Sequence, residues 1–383
     1  MFPDFNIYSS PLLILVLQGI ILSLLLFSSA LKKQNYSNFI LAVLLLITCY
    51  HRTTYTIGFM GWYDTYPKTK INYFLIPFTL CVGPLIYLYV KSLADQGYKF
   101  SIKDGIHFIP QVVFILYKIL LIFFDSNQAG FDESQNGTLM QFDIENLSII
   151  ISALFSIQLL IYLILSFKMY NFYRRTLEEE YSNTFKYEMT WIRNFLFLFS
   201  FLFVYDIVQS IINAFIYDLH WTQEWWYQFF AEIIVIYLGI KGYFATVEKL
   251  PEVDYSPDPK TYNPTSSENE SAPQFKAEVE KINNFLIKDD KFKDPNLSLS
   301  KLSRLLKYTP AQLSQYINQG TGQNFNDYIN AFRVKDVISK LESNKFKHLS
   351  ILSIAFDSGF NSKATFNRVF KKLSGHSPSY FRK

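Results

Sequence analysis

The feature that most constrains this chain is a series of apolar runs, each about the length needed to cross a bilayer as a helix, that ends abruptly near residue 246. The first is Pro11–Leu31, PLLILVLQGIILSLLLFSSAL. No Lys or Arg precedes it and Lys32 and Lys33 follow it, the reverse of a cleaved leader, so it reads as a span. Six more runs follow at Asn38–Met60, Ile71–Leu93, Ile106–Phe124, Leu147–Met169, Trp191–Tyr217 and Trp226–Thr246. Hydrocarbon offers backbone amides no partner, so such runs must satisfy their own hydrogen bonds as helices. Residues 1–246 therefore read as an all-α, seven-span transmembrane bundle, interrupted only in the third run by Pro77 and Gly83-Pro84.

Charge in the connecting loops orients the bundle. Lys32 and Lys33, then Lys99 and Lys103, then Arg174, Arg175 and Lys186, then Lys249 fall in every second loop. The stretch Asp125–Asn146 has five acids and no Lys or Arg, and Asp218–Trp225 has no Lys or Arg; only Lys68 and Lys70 break the alternation. Basic loops stay cytoplasmic, so the reading places the N-terminus outside and everything after span seven inside a bacterial inner (cytoplasmic) membrane.

Away from the cytoplasmic ends, in the middle or outer half of spans two, four, six and seven, lie Arg52, Lys118, Asp206 and Glu232. Charge in hydrocarbon is costly and is kept for pairing or for function. Two bases and two acids can form a structural ion-pair network; the other reading is a sensor pocket for a polar ligand. Cys49 and Cys81 sit in apolar runs without metal-ligand spacing, and the five histidines are scattered. No phosphate loop, nucleophile elbow or zinc motif occurs, so neither an enzyme nor a cofactor is expected.

Composition changes at Val247–Gln274, a stretch rich in Pro, Ser, Asn and acids that reads as a flexible linker. From Phe275 to Lys383 there are 19 Lys or Arg and 9 Asp or Glu, an excess of ten positive charges that suits nucleic acid or anionic lipid. The periodicity predicts short amphipathic helices at Ala277–Ile287, Ser298–Leu306, Pro310–Gln319, Phe325–Leu341, Ser350–Ser358 and Lys363–Leu373. Two close pairs thus flank one longer helix, and in each pair the second helix can enter a DNA major groove. With Leu313 and Ile317 inward, the first such helix presents Gln312, Ser314, Gln315 and Gln319, a face that serves equally for reading bases or as ordinary surface. With Phe366 and Phe370 inward, the second presents Lys363, Thr365, Asn367, Arg368, Lys371 and Lys372, side chains suited to phosphates and base edges.

The residues from Leu297 to Lys383 resemble the AraC/XylS family of transcription regulators. The resemblance is densest in IAFDSGFNSKATFNRVFKKLSGHSPSYFRK, through Gly359, Phe360, Phe366, Arg368, Phe370, Lys371, Gly375, Pro378 and Arg382. In the first half it runs through Leu302, Pro310, Leu313, Ser314, Gly322, Phe325, Tyr328 and Arg333, the last at a position that is generally structural in the family. Lys307, Gln315 and Val337 depart from the usual Gly or Asn, Arg and Ala. Together with the polytopic first half, the chain is similar to a membrane-bound branch typical of Bacteroidota. The resemblance implies sequence-specific binding of double-stranded DNA by a domain at 275–383. A lipid bilayer is the second partner; RNA polymerase, a second copy of the chain and a small-molecule or protein signal are further candidates. Two other arrangements remain open: release of the DNA-binding part by proteolysis in the linker, or a transporter with a regulatory soluble tail.

Overall fold

The computed structural model describes residues 2–65, 75–95, 97–128, 137–184, 189–217, 219–244 and 272–382. Among them the chain is all-helical, with no strand and a single isolated antiparallel bridge between Tyr181 and Ser298. It divides into two units. Met1–Tyr170 and Met189–Val253 form the first; Asn171–Glu188 and Asp254–Lys383 form the second.

The first unit contains α1 (Ser9–Lys33), α2 (Tyr36–Phe59), α3 (Thr79–Ala94), α4 (Ile109–Ser126), most of α5 (Ser148–Glu180), α6 (Thr190–Phe215) and α7 (Trp221–Phe244). Helix α1 packs along α2 and α7, α3 lies against α2, and α6 lies against α7. Small residues allow the close approach. A Cβ on Gly19 would stand 2.4 Å from Cys49 Sγ, and Ser23 Oγ donates to the Ala42 carbonyl at 2.8 Å, as small-residue helix contacts in membranes require. Outward faces are apolar: Ile14, Leu17, Ile21 and Leu24 on α1, Val112, Leu116 and Leu120 on α4, Ile150, Leu154, Ile157 and Ile161 on α5.

Among the described residues, five helical stretches are long and apolar enough to cross a membrane: Ser9–Lys33, Tyr36–Phe59, Ile102–Ser126, Thr138–Glu180 and Thr190–Asn213. The expected third span, Ile71–Leu93, is shorter than its apolar run. Helix α3 begins only at Thr79 and has 16 residues, while 75–78 are not helical. Pro77 lacks an N–H and turns Ile76 away from helical geometry. Gly83 and Pro84, by contrast, lie inside α3 without ending it. The seventh helix, which carries Glu224, Glu232 and Lys241, is not among the five.

Among its described residues the second unit holds the end of α5 and the α-helices α8 (Ala272–Lys288), α9 (Leu299–Leu306), α10 (Pro310–Thr321), α11 (Phe325–Glu342), α12 (Ile351–Asp357) and α13 (Lys363–Ser374). Helix α8 starts at Ala272, inside the stretch read as linker; residues 245–271 lie outside the described ones. Two hydrophobic cores share α11. Its first half gives Phe325, Tyr328 and Ile329 to a core with Ile282, Leu286, Leu302, Leu313 and Ile317. Its second half gives Val334, Val337 and Leu341 to a core with Ile354, Phe360, Phe366 and Phe370. Between the two cores lies Arg333.

Candidate nucleic-acid interface

Each helix pair is fixed by local chemistry. In the first, α9 ends on Lys307 in the left-handed region (φ 61°), and the Tyr308 N–H returns to the Ser303 carbonyl at 2.9 Å. Thr309 caps α10, Pro310 occupies the first turn, and Gln312 closes a capping box. In the second, Gly359 (φ 98°) reverses the chain after α12, and Ser362 caps α13. A Cβ at Gly359 would fall 2.7 Å from the Lys293 carbonyl oxygen and 2.9 Å from Arg333 Nε, so only glycine fits. The buried stripes Leu313–Ile317 and Phe366–Phe370 leave the opposite faces of α10 and α13 open to solvent.

On α13, Lys363, Asn367, Arg368 and Lys371 are exposed together. Two expected members are placed otherwise. Thr365 is 4 % exposed, because it belongs with Phe366, Val369 and Phe370 to the inward stripe; it is corrected out of the reading surface. Lys372 is exposed, but its ammonium meets both carboxylate oxygens of Asp327 at 2.8 Å, so a phosphate contact there must displace an existing ion pair. On α10, Gln319 is exposed, and Ser314 and Gln315 are half-buried, with Ser314 Oγ accepting from Asn318 Nδ2 at 3.3 Å. Gln312 is exposed, but its side-chain oxygen accepts from Thr309 N and Thr309 Oγ1, both at 3.0 Å. The T-P-A-Q sequence that spells this capping box was legible as a capping signal, which makes Gln312 first a structural residue and only then a candidate reader.

Arg333 is completely buried. Its Nε donates to the Phe292 carbonyl at 2.8 Å, its Nη2 to the Asp294 carbonyl at 2.8 Å and to Ser182 Oγ at 2.9 Å, and its Nη1 to the Ser182 carbonyl at 3.2 Å. Burial lowers this guanidinium to about 10, with the nearby Asp294 opposing the shift. A buried cation must be supplied with acceptors or it destabilises the fold by several kcal/mol.

The four charges expected within the spans do not form one network. Arg52 lies 3.9 Å from Glu232, bonds Gln228 and stands 5.4 Å over the Tyr227 ring. Lys118 pairs instead with Asp143 at 2.5 Å, a residue outside the expected spans that also accepts from Tyr117. Asp206 joins Arg52, Glu224, Gln228 and His51 in lining a cavity of about 600 Å³. Among the described residues neither Asp206 nor Glu224 has an ion-pair partner.

The comparisons with known proteins bear on the second unit. A family described as "Helix-turn-helix domain" matches residues 302–383. The uncharacterized transcriptional regulatory protein YesN of Bacillus subtilis (strain 168) is 31% identical over 96 residues, 24% of this chain and 26% of the relative. An uncharacterized HTH-type transcriptional regulator of Staphylococcus aureus (strain COL) is 31% identical over 87 residues, 23% of this chain and 11% of the relative. The matched part thus spans about a quarter or less of these curated relatives. No solved structure matches the chain. The second unit carries an AraC-type helix-turn-helix domain.

Proposed function

We propose that this protein is a membrane-anchored, sequence-specific transcription regulator. In this reading, residues 1–246 span the membrane seven times and receive a signal, and the domain at 275–383 binds double-stranded DNA from the cytoplasmic side. The observation that carries the reading is the pair of helix-turn-helix units built on the two halves of α11, with Lys363, Asn367, Arg368 and Lys371 exposed on one helix face, in a chain with five helices of membrane-crossing length among its described residues. The alternation of loop charge supports the orientation. The cavity supports sensing. Its volume is that of a small-molecule site, and Arg52 is already engaged while Asp206 and Glu224 are not, which favours a small polar molecule carrying a positive charge.

The reading is tested with full-length protein in lipid nanodiscs, presented with a library of DNA sites at several salt concentrations. A defined sequence preference is expected. Lys371→Ala is expected to weaken binding to all sequences alike and to make the salt slope shallower by about one unit. Binding without any preference would refute the regulator reading.

A further inference from the structure

Helix α5 contributes residues to both units: Ser148–Tyr170 group with the first, and Asn171–Glu180 with the second. The four residues that follow, Tyr181–Thr184, are nearly closed off from solvent; Ser182 is 1 % exposed, Asn183 6 % and Thr184 4 %. A loop beside a soluble domain ordinarily stays on its surface. Here the segment lies in the seam between the two cores of the DNA-binding domain.

Its contacts reach both halves. Toward the first, Tyr181 forms the antiparallel bridge with Ser298, and Ser182 donates to the Leu297 carbonyl from its backbone N–H at 3.2 Å and from Oγ at 2.7 Å. The Ser300 N–H, in the first turn of α9, donates to Glu180 Oε1 at 3.2 Å. Toward the shared helix, Asn326 Nδ2 donates to the Tyr181 carbonyl at 3.0 Å, and Arg333 places two bonds on Ser182. Toward the second half, the Asn183 amide donates to Asn361, in the turn that leads into α13. Arg333 is where the three meet. Besides Ser182 it holds the Phe292 and Asp294 carbonyls, and its guanidinium lies 6.0 Å from the Phe360 ring centroid, next to Gly359.

We propose that Tyr181–Thr184 is a built-in tie, which docks in the seam at Arg333 and holds the two helix-turn-helix halves in one mutual placement. Docking is compatible with DNA binding, because Lys363, Asn367, Arg368 and Lys371 remain exposed while the tie is seated. The tie therefore favours the DNA-competent state: it fixes the spacing of two reading helices that must enter the same duplex together. Undocking leaves two bonds of a buried guanidinium without acceptors and lets the halves shift. Because the tie directly continues α5, a change in that helix acts on DNA affinity with no chain cleavage. This inference rests on the DNA-binding reading above.

The test uses full-length protein in nanodiscs and two DNA probes: a selected site, and the same site with the segment read by α13 scrambled. Ser182→Arg ejects the tie by size and by like charge against Arg333, and it lies outside the helices of the DNA-binding domain. Its expected result is a loss of about ten-fold or more on the full site, the scale of losing one linked contact, with less than about two-fold change on the scrambled site. Asn183→Ala is expected to shift binding in the same direction by less. A cysteine at Thr184 reports docking: it is expected to resist a soluble maleimide in the parent and to react when combined with Ser182→Arg. Unchanged or tighter binding of Ser182→Arg to the full site overturns the tie. So does rapid labelling of Thr184→Cys in the parent. A parent without sequence preference would instead refute the DNA-binding reading, so the two failures are distinct.

Discussion

The two helix-turn-helix halves are built on one helix and each follows its first helix with a residue of positive φ, yet they use different residues for it. The second half uses Gly359, where the chain passes so close to Lys293 and Arg333 that a side chain would collide. The first uses Lys307, on the surface, where the left-handed conformation costs a non-glycine residue about 1–2 kcal/mol but nothing blocks the side chain. Their reading faces differ in the same way. Helix α13 offers Lys363, Arg368 and Lys371, while α10 offers neutral Ser314, Gln315 and Gln319 and commits Gln312 to its own cap. On the proposed DNA-binding reading, long-range attraction for the phosphate backbone falls to the second half, and short-range contacts that form once the duplex is in place fall to the first.

The largest effect expected from this contrast comes from adding one methyl group. Gly359→Ala combines a forbidden conformation with a clash against backbone at 2.7 Å, and should destabilise the second half by about 3 kcal/mol. Gly375→Ala has the same conformational problem (φ 77°) but open space around it, and should cost only about 1 kcal/mol. Pulse proteolysis in urea of the full-length variants gives both numbers. Equal losses at the two positions would show that the close approach at Gly359 does not matter.

The second comparison separates reading from capping. Lys363→Ala and Arg368→Ala should each relax preference at one base pair by about 1–3 kcal/mol in the site-library assay. Gln312→Ala should leave preference intact and lower affinity uniformly by a smaller amount, about 0.5–1 kcal/mol, because it removes part of the cap of α10. A base-specific loss at Gln312→Ala would return it to the reading surface.

These distinctions mark where the sequence could be read and where it could not. In the second unit, α10, α11 and α13 are visible as apolar stripes at helical spacing: Leu313 and Ile317; Phe325, Tyr328 and Ile329; Phe366 and Phe370. Of the seven expected spans, five coincide with long apolar helices among the described residues; the third is shortened at Pro77, where hydrophobicity alone would have extended the helix, and the seventh is not among the five. Thr365 misled because its position in the stripe depends on helix phase to within one residue, and a small polar side chain gives no signal of which way it faces. The partnership of Lys118 with Asp143, rather than with Asp206 or Glu232, depends on which helices are neighbours, and an apolar run carries no such information. The seating of Ser182 against Arg333 was invisible for the same reason: the two are 151 residues apart, and nothing in the sequence YSNT indicates burial.

The smallest expected effect tests whether Lys307 is a tolerated flaw or a requirement of the first half. Lys307→Gly removes the cost of holding a β-carbon in the left-handed region, about 1–2 kcal/mol. It also gives the unfolded chain more freedom, which offsets roughly 0.5–1 kcal/mol of that gain. Lys307 is exposed and ends its helix through backbone bonds to the Ser303 and Arg304 carbonyls, which glycine retains. The balance is a net stabilisation of about 0.5–1 kcal/mol, confined to α9 and α10. Hydrogen exchange on the full-length protein resolves it: the amides of α9 and α10 should slow by a few-fold, while those of α12 and α13 stay unchanged. Faster exchange in α9 and α10 would mean that the lysine side chain itself supports the turn, and that the two halves differ in more than the residue that reverses the chain.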